Sequence, residues 1–123
     1  MKITSLRPMI WSENVPETIE FYTRVLGFEC NEQNDEWGWA SLSSGDDVGL
    51  MVARPNANTP YSEIGFTGTF YFNTDDVEAM WLKIKDNARI CYPIETFKWG
   101  MREFAVYDNN GYTLQFGQEI GHK

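Results

Sequence analysis

The chain has 123 residues, 42% of them apolar and 19 aromatic, which suits one compact domain with its own core and argues against disorder. Eighteen acidic residues against ten Lys and Arg leave a net charge of -8, which disfavours nucleic acid and anionic membrane and favours a cationic or neutral ligand. No apolar run approaches the roughly 18 residues of a bilayer-spanning helix, and residues 1–8 lack the apolar core of a secretory signal.

The first strand runs through Pro8-Met9-Ile10-Trp11, with Pro8 and Ile10 on one side and Met9 and Trp11, preceded by Arg7, on the other. A helix follows. Asn14 is placed to cap it, Glu17 three residues on completes a capping box, and Ile19, Tyr22 and Leu26 share one face. Gly27 supplies a left-handed stop. The acid- and amide-rich run from Glu29 to Glu36 reads as a solvated segment that could draw a cation inward. Trp37, Trp39 and Ser41 have odd numbers and Leu42 an even one. Ser44-Gly45-Asp46-Asp47 is a turn signal, and Leu50-Met51-Val52-Ala53 alternates again. Two prolines and two asparagines mark residues 53–62 as a linker.

The second half repeats the order. Phe70 and Phe72 alternate with Thr69, Tyr71 and Asn73. Asp76 is placed to cap a helix with Val77, Met80, Trp81 and Ile84 as its apolar stripe, and Asn87 to stop it. Trp99, Met101 and Glu103 alternate with Phe104 and Val106, and Thr113 and Gln115 with Leu114 and Phe116. Asp108-Asn109-Asn110-Gly111 is a tight-turn signal between them. Cys30 and Cys91 fall at the start of outer strands and form no disulfide framework. They are expected to be reduced, packed as small apolar residues, in a cytoplasmic protein. No Gly-rich phosphate loop precedes a helix.

An offset of 62 residues relates the halves: Asn14 meets Asp76, Val15 meets Val77, Trp37-Gly38 meets Trp99-Gly100, Asp46 meets Asp108, and Gly49 meets Gly111. Each half then reads strand, helix, three strands. The expected fold is α+β, with one domain over residues 1–123 built from two βαβββ modules, about 5–55 and 67–117. Each module folds a four-stranded sheet whose even-numbered side chains face its helix. The odd-numbered side chains line the opposite face, and two such aromatic, Met-rich faces would wall a cup between the paired sheets, provided no β-bulge shifts the alternation.

The stretch from Val15 to Phe28, with its "FY…LGF" ending, and the stretch from Trp99 to Phe116, with its "G-x-R-x-F" opening and its Asp-Asn-Asn-Gly turn, resemble the vicinal oxygen chelate superfamily, the glyoxalase and bleomycin-resistance fold. The resemblance covers nearly the whole chain and implies this fold more sharply than any one activity. Catalytic members of the family hold a divalent metal, and the resemblance places its ligands at Arg7, Ala53, Thr69 and Gln115. A shift of two residues gives Met9, Met51, Tyr71 and Thr113 instead. Neither set suits zinc, nickel or iron, and the single histidine is His122. The expectation is therefore no metal, no other cofactor and no catalytic residue.

This outline resembles the metal-free bleomycin-resistance branch, whose members sequester a drug. It implies a small-molecule binding protein for a cationic or aromatic compound, assembled as a homodimer. The expected ligand-binding residues are Arg7, Met9, Trp11, Trp37, Trp39, Met51, Tyr71, Trp99, Met101, Glu103 and Gln115. Glu103 would meet a ligand cation or else pair with Arg7. Arg102, on the even side, would bridge toward the helix. The alternative is a glyoxalase-type lyase acting on lactoylglutathione, or a related metal-dependent enzyme.

Overall fold

The computed structural model describes residues 1–55, 65–66 and 68–121. Most of the expected linker, from residue 56 to 62, and His122 lie outside the described residues. The chain forms two compact units, Met1–Ile64 and Gly65–Lys123. The first holds β1 (Met9–Trp11), α1 (Val15–Glu20) with a π-helical continuation (Phe21–Val25), β2 (Glu29–Asn34), β3 (Trp39–Ser44) and β4 (Val48–Ala53). The second holds β5 (Thr69–Asn73), α2 (Val77–Ile84), β6 (Arg89–Thr96), β7 (Met101–Tyr107) and β8 (Thr113–Glu119). The sheets have the same topology, β1-β4-β3-β2 and β5-β8-β7-β6. In each, the first strand pairs parallel with the last and the other pairs are antiparallel. The expected α+β class and the two βαβββ modules are present.

The two helix starts are built alike because the same polar residues recur 62 positions apart. The Asn14 side chain accepts from the Glu17 backbone N–H at 3.0 Å, and the Asp76 side chain from that of Ala79 at 3.1 Å. The Asn14 N–H donates to Ser12 Oγ at 3.0 Å, and the Asp76 N–H to Thr74 Oγ1 at 3.2 Å. Gly27 has φ of 79°, as a left-handed stop requires. Asn87 stops α2 by another route: its backbone N–H donates to Ile84 O and its side chain to Lys83 O.

Even-numbered strand residues face the helices as expected. Ile10, Leu42, Leu50 and Val52 are buried in the first module with Val15, Tyr22, Val25 and Leu26 of the helix. In the second, Phe104, Val106, Leu114 and Phe116 are buried with Val77 and Ile84. A run of rings, Phe72–Phe116–Phe104–Trp81, has centroids 5.1–5.2 Å apart. Each fully buried side chain of this size contributes about 1.5–3 kcal/mol. Arg102 bridges to Glu78 of α2, on the helix side as expected.

Three sequence expectations are corrected. Met9 pairs with Met51, yet Tyr71, 62 residues beyond Met9, pairs with Gln115, 64 residues beyond Met51. The modules are thus not related by one ungapped offset. The β7–β8 connection is two residues longer, and an even insertion leaves side chains on their expected face. The mate of Gln115 in the first module is accordingly Met51, not Ala53. Second, β2 and β6 carry register shifts, one after Cys30 and two flanking Tyr92, which break the simple alternation there. Third, Cys91 is exposed and Cys30 only half-buried, so neither packs as a core residue, because both sit on the outer strand of a sheet.

Candidate functional site

The most distinctive polar cluster lies on the face of the second sheet opposite α2. Two neighbouring rows of the β ladder supply it. Tyr71, Gln115, Ala105 and Tyr92 are in register across β5, β8, β7 and β6, and Gly117 pairs with Glu103 in the next row. Tyr71 reaches diagonally over Gly117 and donates its hydroxyl to Glu103 Oε2. A Cβ at position 117 would overlap the Tyr71 hydroxyl, so only glycine leaves this path open. From the other side Tyr92 donates to Glu103 Oε1 at 3.3 Å, and the Gln115 amide donates to the Tyr92 hydroxyl at 2.8 Å.

The Glu103 side chain is thereby held 5% exposed. None of the ion pairs among the described residues involves it. A buried carboxylate is costly to desolvate unless hydrogen-bonded, and the two phenols meet that requirement without neutralising its charge. Both phenols hold their protons more tightly than usual. Loss of water raises the Tyr71 hydroxyl first, and the bond and charge of Glu103 raise it further. Burial also raises Tyr92, with the Gln115 donor opposing and Glu103 adding to the rise. An aromatic wall continues from there. Phe97 meets Tyr92 edge-on at 5.9 Å, and Trp99 stacks on Phe97 at 4.7 Å and 12°.

Residues 5–116 match the Glyoxalase/Bleomycin resistance protein/Dioxygenase superfamily. The chain belongs to that superfamily. No protein of curated function matches it. Three solved structures illustrate the shared fold. TioX from Micromonospora sp. ML1 is 20% identical with a TM-score of 0.76, over 95% of this chain and 99% of that one. A glyoxalase/bleomycin resistance protein/dioxygenase from Nocardioides is 13% identical with a TM-score of 0.78, over 100% and 87%. A lactoylglutathione lyase from Agrobacterium tumefaciens is 15% identical with a TM-score of 0.69, over 94% and 92%. At these identities the likeness is one of fold.

The side chains present do not suit the divalent metal that catalytic members of the superfamily hold. Among the described residues no three His, Cys, Asp or Glu side chains cluster. The Thr69 hydroxyl is committed to the Thr113 carbonyl at 3.1 Å, and the Gln115 amide to Tyr92. Glu103 is the lone carboxylate of its cluster, and both its oxygens accept from phenols.

Of the expected ligand-binding residues, the second module brings together Tyr71, Glu103 and Gln115. Met101 opens β7 half-buried. Trp99 joins through Phe97, but from the β6–β7 turn and not from a strand, and is 52% exposed. In the first module Met9 pairs with Met51, and Trp11 and Trp39 both pair with Ala53. Arg7 precedes β1 with its guanidinium against Gly49. Trp37 sits in the β2–β3 turn, 72% exposed, away from that sheet face. Both turn tryptophans depart from the expected alternation because each follows the end of its strand.

Tyr92 and Phe97 were outside the expected set. The register shifts flanking Tyr92 carry this even-numbered residue onto the odd face. Pro93 was the available signal, since proline within a strand marks an edge or a bulge. A separate cavity of about 290 Å³ lies in the first module, lined among others by Glu13, Pro16, Asp35, Trp39 and Arg54. Its polar groups largely brace the β2–β3 turn: Gln33 bonds Asp35, Asn34 bonds the Trp37 N–H, and Arg54 bonds the Glu36 carbonyl. The buried charge and the aromatic wall make the Glu103 cluster the stronger site. Among the described residues no helix is long and apolar enough to cross a membrane.

Proposed function

We propose that this superfamily member binds and sequesters a small cationic aromatic molecule at the Glu103 cluster, without transforming it and without a metal. One observation carries the reading: a carboxylate 5% exposed, held by two phenols, with no cationic side chain paired to it. An arriving cation supplies the counter-charge that the phenols do not. The rings of Tyr92, Phe97 and Trp99 offer a planar body a stacking surface and a cation–π contribution of roughly 0.5–2 kcal/mol. Against the lyase alternative stands the absence of a metal-ligating set among the described residues. We also propose that the protein works as a cytoplasmic homodimer. Exposed Met9, Trp37 and Trp99 support a covered face, and sedimentation equilibrium checks it.

The test is a thermal-shift comparison of bleomycin with S-lactoylglutathione. Bleomycin raises Tm and the Glu103→Gln variant loses the rise. A rise with the thioester alone, or turnover of it by metal-loaded protein, overturns the proposal in favour of the lyase.

A further inference from the structure

We infer that the cation this site takes carries its charge on a planar N–H fork, an amidinium or guanidinium, and that the fork displaces the Tyr71 hydroxyl from Glu103. The inference rests on reading the Glu103 cluster as a cation site.

The two oxygens of Glu103 are guarded unequally. Oε1 accepts from Tyr92, which is held in turn by the Gln115 amide at 2.8 Å and by the edge of Phe97. Oε2 accepts from Tyr71. Tyr71 is on β5, the outer strand of its sheet, 39% exposed, and its ring makes no aromatic contact among the described residues. A turn about its side-chain torsions carries it toward water and opens the notch over Gly117 that its hydroxyl fills. Tyr92 has no such freedom.

Once Tyr71 leaves, Oε2 lacks a donor and Oε1 keeps only a 3.3 Å bond. A buried carboxylate in that state is destabilised unless the ligand replaces donor with donor. A quaternary ammonium has no N–H and cannot. A primary ammonium replaces one bond as a point charge. A planar fork presents two parallel N–H groups at the spacing of the two carboxylate oxygens, the pairing that makes arginine–carboxylate contacts bidentate. Its flat body then lies along the Tyr92–Phe97–Trp99 wall.

Three probes of similar size separate these cases: benzamidine, benzylamine and phenyltrimethylammonium, each titrated into the full chain by calorimetry with tryptophan fluorescence alongside. Benzamidine should bind about tenfold or more tighter than phenyltrimethylammonium, with benzylamine between. Tyr71→Phe, which removes one oxygen and keeps the ring, should tighten benzamidine by about tenfold because the competing donor is gone. Glu103→Gln should weaken benzamidine at least tenfold. Phenyltrimethylammonium binding as well as benzamidine overturns the fork and leaves the cation site standing. Weaker or unchanged benzamidine binding in Tyr71→Phe, with Tm preserved, overturns the displacement. Benzamidine binding that ignores Glu103→Gln, or no binding of any probe, overturns the cation site and this inference together.

Discussion

Met9 pairs with Met51 on the face of the first sheet that turns away from its helix, and at the same place in the second sheet Tyr71 pairs with Gln115. One row further, Ala53 pairs with Trp39 in the first sheet, where the second has Gly117 with Glu103. Matching backbones thus carry a thioether and indole surface in one module and a hydrogen-bonded carboxylate in the other. The helix sides diverge far less. Leu50 and Leu114 are both buried, Asn14 and Asp76 both cap, and Ser12 and Thr74 both brace the cap. The helix-facing side is constrained by the packing that holds each module together. The other side is free to diverge, and only the second module has spent it on a buried charge.

The helix entrances show a smaller divergence. In the second module the Gln118 amide donates to the Asp75 carbonyl and accepts from the Val77 N–H, sealing the start of α2. The matching position of the first module holds Arg54, which bonds the Glu36 carbonyl instead, and there the cavity of about 290 Å³ opens.

The largest test of the contrast is on the helix side. Phe104 is fully buried between Phe116 and Trp81, and the matching residue of the first module is Ala40. Phe104→Ala should cost about 3–5 kcal/mol in urea unfolding. A loss below about 1 kcal/mol would show that α2 collapses onto the sheet without the ring.

Gly117→Ala comes next, at about 1–3 kcal/mol, because the new methyl overlaps Tyr71. The first module carries Ala53 at that place, opposite Met9 and not a tyrosine. Combining Gly117→Ala with Tyr71→Met should therefore recover most of the loss in a double-mutant cycle. Additive losses would mean that the backbone, and not Tyr71, demands glycine.

The turn tryptophans give the third comparison. Trp99→Ala should weaken a planar cation about tenfold, or about 1.4 kcal/mol, while leaving Tm nearly unchanged. Trp37→Ala, at the matching turn of the first module, should leave that affinity alone. Equal effects from both would place the ligand elsewhere. Asn14→Ala and Asp76→Ala should each lose about 1 kcal/mol of stability. A marked inequality would show that one cap is replaced by its neighbours.

The smallest effect is in pH. Tyr71 and Tyr92 hold their protons more tightly folded than unfolded, so the cluster's contribution is complete below the ordinary phenol value of about 10. It is lost as pH rises from there through the raised folded values. Phenolate absorbance should show two late-titrating tyrosines, and Glu103→Gln should bring Tyr71 earlier. The first module has no counterpart. Late titration that survives Glu103→Gln and Tyr71→Phe would assign the shift to other tyrosines.

Much of this was legible along the chain. Asn14 with Glu17, Asp76, Gly27 and the stripe from Val77 to Ile84 announce two helices, and the alternation around Leu42, Leu50, Phe104 and Leu114 announces the buried sides. Glu103 was visible as the carboxylate of the outward face. Its two phenol partners were not, because Tyr71 reaches it across 32 residues and Tyr92 only through the register shifts of β6.

Helix caps, apolar stripes and strand alternation depend on residues a few positions apart, whose geometry the local backbone period dictates, and so the sequence by itself determined the two modules and which side of each strand is buried. The two-residue extension of the second β-hairpin, the turn positions of Trp37 and Trp99, and the enclosure of Glu103 were decided only by tertiary structure. A strand's register is set by its neighbour across the ladder, and one extra residue in β6 turns Tyr92 from one face of the sheet to the other.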